Sequence, residues 1–382
     1  MHPKTCSPRP GTDRATPHGT GAEGGGAFLV GVLPGEGVGP EVIDVALSLL
    51  RVVGRATGHR FEVRTGGAIG KQAERLTGRG LTPEVCGFCD EVFGEGGAVL
   101  CGPGGGRFVY DLRRQFDLYC KLIPLRHWPA LADAGVLRPE AARSADVLIV
   151  RENASGLYCG EWGSEGEGGG RSAYQVCRYR TDEVVRILGR ALQLAGRRRG
   201  KLTVITKPGG VPAISALWQD ALERVASEYR GVRCRTLEVD NAAYQLIADP
   251  QQFDVIVCPN MFGDILGDCG SLLMGSRGMS WSGNFGAAGQ AVYQTAHGAA
   301  WDLAGRDRAN PIGQVCSLAM MLRESFRLPA LADALETAIV HTLAQGVRTA
   351  DIQGAQPVAV GTRAMGQALC ASLTEVLQGE RA

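Results

Sequence analysis

Short apolar runs recur along the chain, and segments with a helical apolar period lie between them. The apolar runs predict buried strands at residues 28–33, 98–100, 147–150, 202–205 and 255–257. A period of roughly 3.6 residues predicts helices at about residues 41–53, 182–195, 213–229 and 311–326. Strands that alternate with helices over this length indicate an α/β fold with buried parallel strands.

Three segments rich in glycine or other small residues interrupt this pattern. Residues 1–26 contain Gly, Pro, Thr and Ser without an apolar period, which predicts a disordered tail. Glycine clusters at residues 102–106 and 163–170 predict loops or domain boundaries. The first strand runs into Gly-Glu-Gly-Val-Gly at residues 35–39, which is typical equally of a dinucleotide turn and of a plain glycine turn.

Composition narrows the class of protein. Across 382 residues, 40 Lys and Arg balance 39 Asp and Glu, so the net charge of +1 offers no general attraction for nucleic acid or acidic membranes. No apolar run approaches the roughly 18 residues of a membrane span, and the first residues lack the apolar core of a secretory signal. The 12 cysteines are too few for a disulfide scaffold. We therefore expect a soluble cytoplasmic protein with reduced cysteines and no nucleic-acid or membrane partner.

The segment with the clearest chemistry is NMFGDILGD at residues 260–268. On a helix, Asp264 and Asp268 lie one turn apart on the same face. A divalent cation between the two carboxylates explains why both are present, and all-oxygen ligation favours Mg²⁺ or Mn²⁺. The alternative is a pair of exposed acids near a helix start. In either case mutual repulsion predicts that replacing one of them leaves the fold as stable or more stable.

This segment resembles NLFGDILSD of the decarboxylating 2-hydroxy-acid dehydrogenases, the isocitrate and 3-isopropylmalate dehydrogenase family. Further blocks resemble that family in the same order: GEGVGPEV at 35–42 (GDGIGPEV), VRENASGLY at 150–158 (VRENTEGLY), VD at 239–240 with DPQQFD at 249–254 (VD and NPQQFDV), and HGAAWDLAG at 297–305 with NP at 310–311 (HGSAPDIAG and ANP). The blocks span about residues 28–326, so the chain is identified as a member by resemblance.

The resemblance implies a two-domain α/β fold without Rossmann topology. One domain is expected from both chain ends, residues 27–118 and 276–382, and a smaller domain from the inserted residues 119–275. In the family the active site lies in the cleft between the domains and a second subunit completes it. An arm after Tyr158 is exchanged between subunits, so a homodimer or higher homo-oligomer is expected.

The resemblance also implies the catalytic and metal-binding residues. Asp264 and Asp268 match the metal ligands of one subunit, and Asp240 matches the ligand from its neighbour. Lys207 matches the lysine that deprotonates the substrate hydroxyl, and Tyr158 the acid that protonates the enol carbon. Because a lysine is a poor base at neutral pH, a pKa lowered by burial beside the cation is expected for Lys207.

Substrate carboxylates in the family are bound by three arginines, for which the planar guanidinium is suited. Arg113 and Arg151 match two of them. Ile123 occupies the place of the remaining arginine, which leaves Lys121 or Arg126 as candidates to compensate.

The loop before Arg113 sets the substrate in this family, and here Arg107 stands at the position of a serine that binds a third carboxylate. Arg107 is therefore a candidate for binding an acidic substrate tail. The alternative is an exposed arginine on a flexible loop.

For the cofactor, the resemblance implies binding by His297, Gly298, Asp302 and Asn310. NADP-dependent members carry Lys-Tyr where this chain has Asp302 and Leu303. A carboxylate accepts hydrogen bonds from the ribose hydroxyls and repels a 2′-phosphate, so NAD is the expected cofactor.

Two functions follow from the resemblance. The first is NAD-dependent and Mg²⁺- or Mn²⁺-dependent oxidative decarboxylation of a 2-hydroxy acid with a 3-carboxylate, of the isopropylmalate, isocitrate or tartrate/malate type. Arg107 slightly favours an acidic or small polar tail. The alternative is a catalytically impaired regulatory subunit of a hetero-oligomeric dehydrogenase, which the loss of an arginine at Ile123 would suit.

Overall fold

The computed structural model describes residues 26–137, 143 and 145–379. The tail predicted over residues 1–26 therefore lies outside the described residues, apart from residue 26 itself. Within the described chain, no helix is both long and apolar enough to cross a membrane. No disulfide joins the cysteines of this part of the chain.

Twelve strands appear in the described residues. In chain order they are β1 (Phe28–Leu33), β2 (Phe61–Thr65), β3 (Ala98–Cys101), β4 (Cys120–Arg126), β5 (Asp146–Glu152), β6 (Trp162–Glu165), β7 (Ser172–Gln175), β8 (Lys201–Thr206), β9 (Arg233–Glu238), β10 (Val255–Cys258), β11 (Trp281–Phe285) and β12 (Ala291–Thr295). Ten of them form one sheet in the order β2-β1-β3-β12-β11-β4-β5-β10-β8-β9, and β6 pairs only with β7.

Eleven α-helices accompany these strands in the same residues. They are α1 (Gly39–Thr57), α2 (Gly70–Thr77), α3 (Pro83–Gly94), α4 (Phe108–Gln115), α5 (Thr181–Gly196), α6 (Pro212–Ala226), α7 (Val239–Ala248), α8 (Asn260–Gly270), α9 (Ile312–Glu324), α10 (Pro329–Ala344) and α11 (Thr362–Gly379). Helix α9 is buried along nearly its whole length, because α1, α10 and the strands β11 and β12 surround it.

The predicted strands and helices are confirmed, and their boundaries shift by at most four residues. The sheet is mixed, because β4 pairs antiparallel with both β5 and β11 while the predicted strands β1, β3, β5, β8 and β10 have parallel neighbours. The loop predicted at residues 163–170 is partly wrong, since β6 occupies Trp162–Glu165 and only the following residues turn. The loop at residues 102–106 is confirmed.

The packing of α8 on β4 and β5 brings two of the sequence motifs, residues 150–158 and 260–268, to one place. Strand β5 ends at Arg151 and Glu152, and parallel β10 leads through Pro259 directly into α8. The carboxyl ends of parallel strands are the usual place for a binding site in an α/β sheet. The loop after β3 and helix α4 approach the same edge, because α4 contacts the turn that carries Tyr158.

Candidate active site

Arg151 is the central side chain of this edge. It is fully buried, and its guanidinium forms an ion pair with the Asp264 carboxylate of α8. Its Nη2 and Nε also donate to Oδ1 of Asn260, at 2.7 and 3.3 Å. Helix α8 comes this close because residue 263 is glycine, where a Cβ would lie 2.8 Å from Cγ of Arg151. The arginine is therefore fixed before any ligand binds.

The two aspartates of α8 differ in their partners. Asp264 pairs with buried Arg151, whereas Asp268 pairs at 2.7 Å with Arg277 in a largely exposed ion pair. Burial acts to raise the pKa of Asp264, but the charges of Arg151, Lys121 and Arg113 together bring it below its ordinary value. Asp264 is thus ionised, which is the state that a cation binds.

Two further buried cations lie beside Arg151. Arg113 of α4 is 5% exposed, its Nε has no hydrogen-bond partner, and burial together with Arg151 lowers its pKa to about 10. Lys121 of β4 is 4% exposed, and burial together with both arginines lowers its pKa well below the usual range. We call Arg113, Lys121 and Arg151 the cationic cluster.

The structure separates the two residues that could compensate for Ile123. Lys121 belongs to the cationic cluster. Arg126 instead pairs with Glu336 and lies over the ring of Trp128, 4.1 Å from its centroid. Residues 121 and 126 also point to opposite faces of β4, because side chains alternate along a strand. Arg126 is excluded from the site.

Tyr158 lies in the one-turn helix Leu157–Cys159 beside this cluster. Its ring centroid is 5.3 Å from that of Tyr110 and 5.7 Å from the guanidinium carbon of Arg151. Burial, followed by the negative charge of Asp264, raises the pKa of the phenol to about 12. Tyr158 therefore keeps its proton at neutral pH and can act as an acid.

Arg107 is held in place rather than free on a flexible loop. Its guanidinium carbon lies 4.5 Å from the ring centroid of Trp162 and 5.2 Å from that of Tyr110. Its Nη1 donates to the backbone carbonyl of Tyr158 at 3.3 Å. These contacts bring the predicted Arg107 next to the predicted Tyr158, with the β6–β7 hairpin as one wall.

Lys207 and Asp240 form a separate group. The Lys207 ammonium donates to Asp240 at 2.8 Å and to Glu238 at 2.6 Å. The pKa lowered by burial beside the cation stays a prediction, and within a single chain the hydrogen bonds with Asp240 and Glu238 raise the pKa of Lys207. The reason is that two carboxylates, and no positive charge, face the ammonium. In the described residues no three His, Cys, Asp or Glu side chains are placed to hold a metal ion, so Asp240 does not join Asp264 and Asp268 within one chain.

The predicted cofactor residues lie within residues 297–310, which follow β12 and which we call the cofactor segment. Nδ1 of His297 is 2.9 Å from the carbonyl of Gly298, whereas its buried Nε2 has no partner. Burial lowers the pKa of His297, so the ring is neutral. Asp302 is exposed in a turn. Asn310 is less available, because its Oδ1 accepts from the amide of Ile312 at 3.0 Å.

The glycine turn after β1 packs against this cofactor segment. The amide of Val38 donates to the carbonyl of Ala299 at 2.9 Å, and the amide of Gly305 donates to the Glu41 carboxylate at 2.5 Å. Gly37 has a φ of 58°, and a Cβ there would lie 1.9 Å from the Ala299 carbonyl oxygen. The turn and the segment thus form one surface.

Sequence reasoning missed several residues that shape the site. Asn260 orients Arg151, Trp162 flanks Arg107, Arg277 pairs with Asp268, and Glu238 pairs with Lys207. Only Asn260 carried a signal, since it begins the NMFGDILGD segment. The other contacts depend on how distant elements pack.

The chain is similar to a described protein family and to individual proteins of known activity. A family model described as isocitrate/isopropylmalate dehydrogenase matches residues 29–369. The 3-isopropylmalate dehydrogenase of Geobacillus kaustophilus is 40% identical over 341 residues, which are 86% of this chain and 90% of that protein. The 3-isopropylmalate dehydrogenase of Aquifex aeolicus is 38% identical over 350 residues, covering 88% and 94%. The crystal structure of isocitrate dehydrogenase from Methylococcus capsulatus matches with a TM-score of 0.81 at 27% identity, covering 91% of this chain and 99% of that one.

Proposed function

Because the chain belongs to the isocitrate/isopropylmalate dehydrogenase family, we propose that it oxidises and decarboxylates a 2-hydroxy acid with a 3-carboxylate, using NAD and Mg²⁺ or Mn²⁺. The observation that carries the proposal is the meeting of Asp264 with Tyr158 and the cationic cluster. An ionised carboxylate, a protonated phenol and buried cations are the groups that metal binding, proton donation and carboxylate binding require.

The residues present fit a divalent cation and a nucleotide. Asp264 and Asp268 offer hard oxygen ligands one turn apart on α8, and Asp240 of a second copy is proposed to add a third. When bound, the cation would supply positive charge that favours loss of the hydroxyl proton and the enolate that decarboxylation leaves. The unpartnered Nε2 of His297 and the exposed Asp302 fit a nucleotide along the cofactor segment.

The chain's own residues divide the remaining work. Arg113 and Arg151 bind carboxylates and hold the substrate against α8. Lys207 of the neighbouring copy would remove the hydroxyl proton in its uncharged form, which a cation bound at Asp240 would favour, and NAD would accept the hydride when bound. Tyr158 then gives its proton to the carbon that has lost CO₂, for which its pKa of about 12 keeps it protonated beforehand.

Two observations favour different substituents on the substrate, at the position that distinguishes isopropylmalate from isocitrate. The relatives at about 40% identity are 3-isopropylmalate dehydrogenases, which favours an isopropylmalate-like tail. Arg107, held over Trp162 and Tyr110, favours an acidic or small polar tail. We propose the isopropylmalate type as the first candidate, and an acid with a polar tail as the second.

We also propose that the site is completed by a homodimer and lies between two domains with the boundaries given above. The sheet supports this division, because one half uses strands from residues 28–101 and 281–295 and the other uses strands from residues 120–258.

The test is Mg²⁺-dependent reduction of NAD by the purified chain with a panel of acids. The panel contains 3-isopropylmalate, isocitrate, tartrate and malate. Turnover of at least one acid supports the proposal, and the preferred acid identifies the tail. Binding of acid and NAD without turnover would support the alternative, an impaired regulatory subunit.

Cofactor choice is tested in the same assay. The Asp302 carboxylate would face a 2′-phosphate of like charge, so kcat/KM should favour NAD over NADP by at least roughly 100-fold. Replacing Asp302 by Lys and Leu303 by Tyr should narrow this ratio. Equal use of both cofactors by the unmodified protein contradicts the role given to Asp302.

A further inference from the structure

The strand register places Lys121 directly beside Arg151. In the antiparallel pair of β4 and β5, Lys121 is opposite Arg151, and on the other side it is opposite Asn284 of β11. Residues directly opposite in such a pair share one face of the sheet. Two like charges in this relation repel each other, and the Asp264 carboxylate that attracts both is already ion-paired with Arg151.

The packing of β4 on α8 shows which way Lys121 points. A Cβ at Gly270 would meet the Leu125 side chain, and a Cβ at Gly267 would meet Ile123 at 2.9 Å. A step of two residues towards the start of β4, from Leu125 to Ile123, therefore corresponds to a step of about one turn towards the start of α8, from Gly270 to Gly267. The next residue on this face is Lys121, and the preceding turn of α8 carries Asp264. The Lys121 ammonium is therefore directed into the region between α8 and Arg151.

The charges in this region are unevenly paired. Arg151 is ion-paired with Asp264, and Arg277 is ion-paired with Asp268. Neither Lys121 nor Arg113 has an ion-pair partner among the residues that the structure describes, although each is about 95% buried. Buried cations without partners are costly, and a protein that keeps two of them side by side has positive charge to offer a ligand.

We propose that Lys121 is a substrate-binding residue, whose ammonium binds a substrate carboxylate beside Arg113 and Arg151 and so selects acids with two carboxylates. The inference rests on the proposed function for the identity of the ligand. It goes beyond that function because it assigns the carboxylate site of this chain to a lysine on β4. The lowered pKa of Lys121 is in keeping with it, since a bound anion would relieve the repulsion from both arginines.

The experiment compares Lys121→Met with the unmodified protein. Methionine keeps most of the volume and removes the charge. Lys201→Met is the matched control, because Lys201 begins β8, two strands from β5 in the sheet. Calorimetry with Mg²⁺ present gives the affinities for 3-isopropylmalate and for NAD separately, and thermal unfolding of the free protein gives Tm.

We expect Lys121→Met to weaken 3-isopropylmalate binding by about ten- to a hundredfold, as for the loss of a charged hydrogen bond. The affinity for NAD should stay unchanged. The Tm of the free protein should stay unchanged or rise, because the variant removes a buried cation that its neighbours repel. Lys201→Met should change none of the three.

Unchanged affinity for the acid in Lys121→Met overturns the proposal. A lowered Tm together with loss of NAD binding also overturns it, since Lys121 would then be structural. If the unmodified protein does not bind 3-isopropylmalate, the proposal fails even where another acid is oxidised. If it binds the acid through Lys121 but reduces no NAD, the proposed function fails and the role of Lys121 stands.

Discussion

Each aspartate of α8 faces an arginine, and the two arginines differ in their exposure. Arg151 is fully buried, so its positive charge is stabilised by Asp264 and by the neutral side-chain oxygen of Asn260 and not by water. Arg277 is about 60% exposed and is hydrated with or without Asp268. Mutual repulsion between the aspartates is therefore not the interaction that decides their effect on stability.

Asp264→Asn should destabilise the fold, and Asp268→Asn should not. Removing one partner of a buried ion pair leaves a buried charge, but an amide oxygen can still accept from Arg151, so we expect a loss of about 1–3 kcal/mol. The exposed pair of Asp268 predicts a change within about 0.5 kcal/mol. Urea unfolding of both variants measures this, and equal stabilities would show that the pairing with Arg151 contributes nothing.

Glu152, next to Arg151, predicts a dependence of stability on pH. It is fully buried and accepts from the amides of Ala154 at 3.1 Å and Ser155 at 2.9 Å, yet burial raises its pKa to about 7. A carboxyl whose pKa is raised by folding contributes stability at low pH, and this contribution is lost as the pH rises from about 4.5 to 7 and above.

Glu152→Gln removes this titration. Relative to the unmodified protein, the variant should gain on the order of 1–3 kcal/mol in its free energy of unfolding between pH 5 and pH 8. A constant offset from the altered hydrogen bonds does not affect this difference. Denaturant unfolding at the two pH values measures it, and parallel pH profiles would mean that Glu152 stays ionised throughout.

At the scale of elements, α8 approaches β4 and β5 through glycines. Positions 263, 267 and 270 lie against Arg151, Ile123 and Leu125, where any Cβ would come within 3.0 Å of a side chain. A helix with larger residues here would stand farther from the sheet. The separation of Asp264 from Arg151 is thus set by the absence of side chains on this face of α8.

Gly263→Ala should therefore destabilise the protein, although alanine favours helices. The added methyl would lie 2.7 Å from Sγ of Cys258 and 2.8 Å from Cγ of Arg151, and overpacking outweighs the helix preference by about 1–2 kcal/mol. Gly189→Ala within α5 is the control, because its Cβ meets nothing within 4 Å and should stabilise by about 0.5–1 kcal/mol. Thermal unfolding compares them, and a stabilised Gly263→Ala would show that α8 can shift without cost.

The strands and helices that could be predicted from the sequence are those whose burial follows one simple pattern along the whole element. Strands β1, β3 and β10 are apolar runs buried on both faces, and α5 has a clear apolar period. Strand β4 was missed because it carries Lys121, Pro124 and Arg126, which read as polar or turn residues. The ion pair of Arg151 with Asp264 was also beyond prediction, since it depends on how closely α8 docks and not on either residue's neighbours in sequence.

At the scale of the whole molecule, the predicted catalytic residues fall into two groups. Tyr158, Asp264 and Asp268 lie with the cationic cluster, whereas Lys207 and Asp240 pair with each other after β8 and β9. Within the described residues the three aspartates do not come together. If these two groups are the two halves of one site, as proposed, two copies related by a twofold axis would supply both halves at each of two sites.

Mixing two inactive variants tests this arrangement. Lys207→Met and Tyr158→Phe should each be nearly inactive alone, because one lacks the proposed base and the other the proposed acid. In a mixed dimer, one site would combine Tyr158 of the first chain with Lys207 of the second, and the other site would lack both. Random exchange of equal amounts makes half of the dimers mixed, so about a quarter of the unmodified activity should return.

The assay follows NAD reduction after refolding the two variants together, and refolding each variant separately before mixing is the control. If co-refolding restores no activity while the unmodified protein regains its own, Lys207 and Tyr158 act within one chain or not at all.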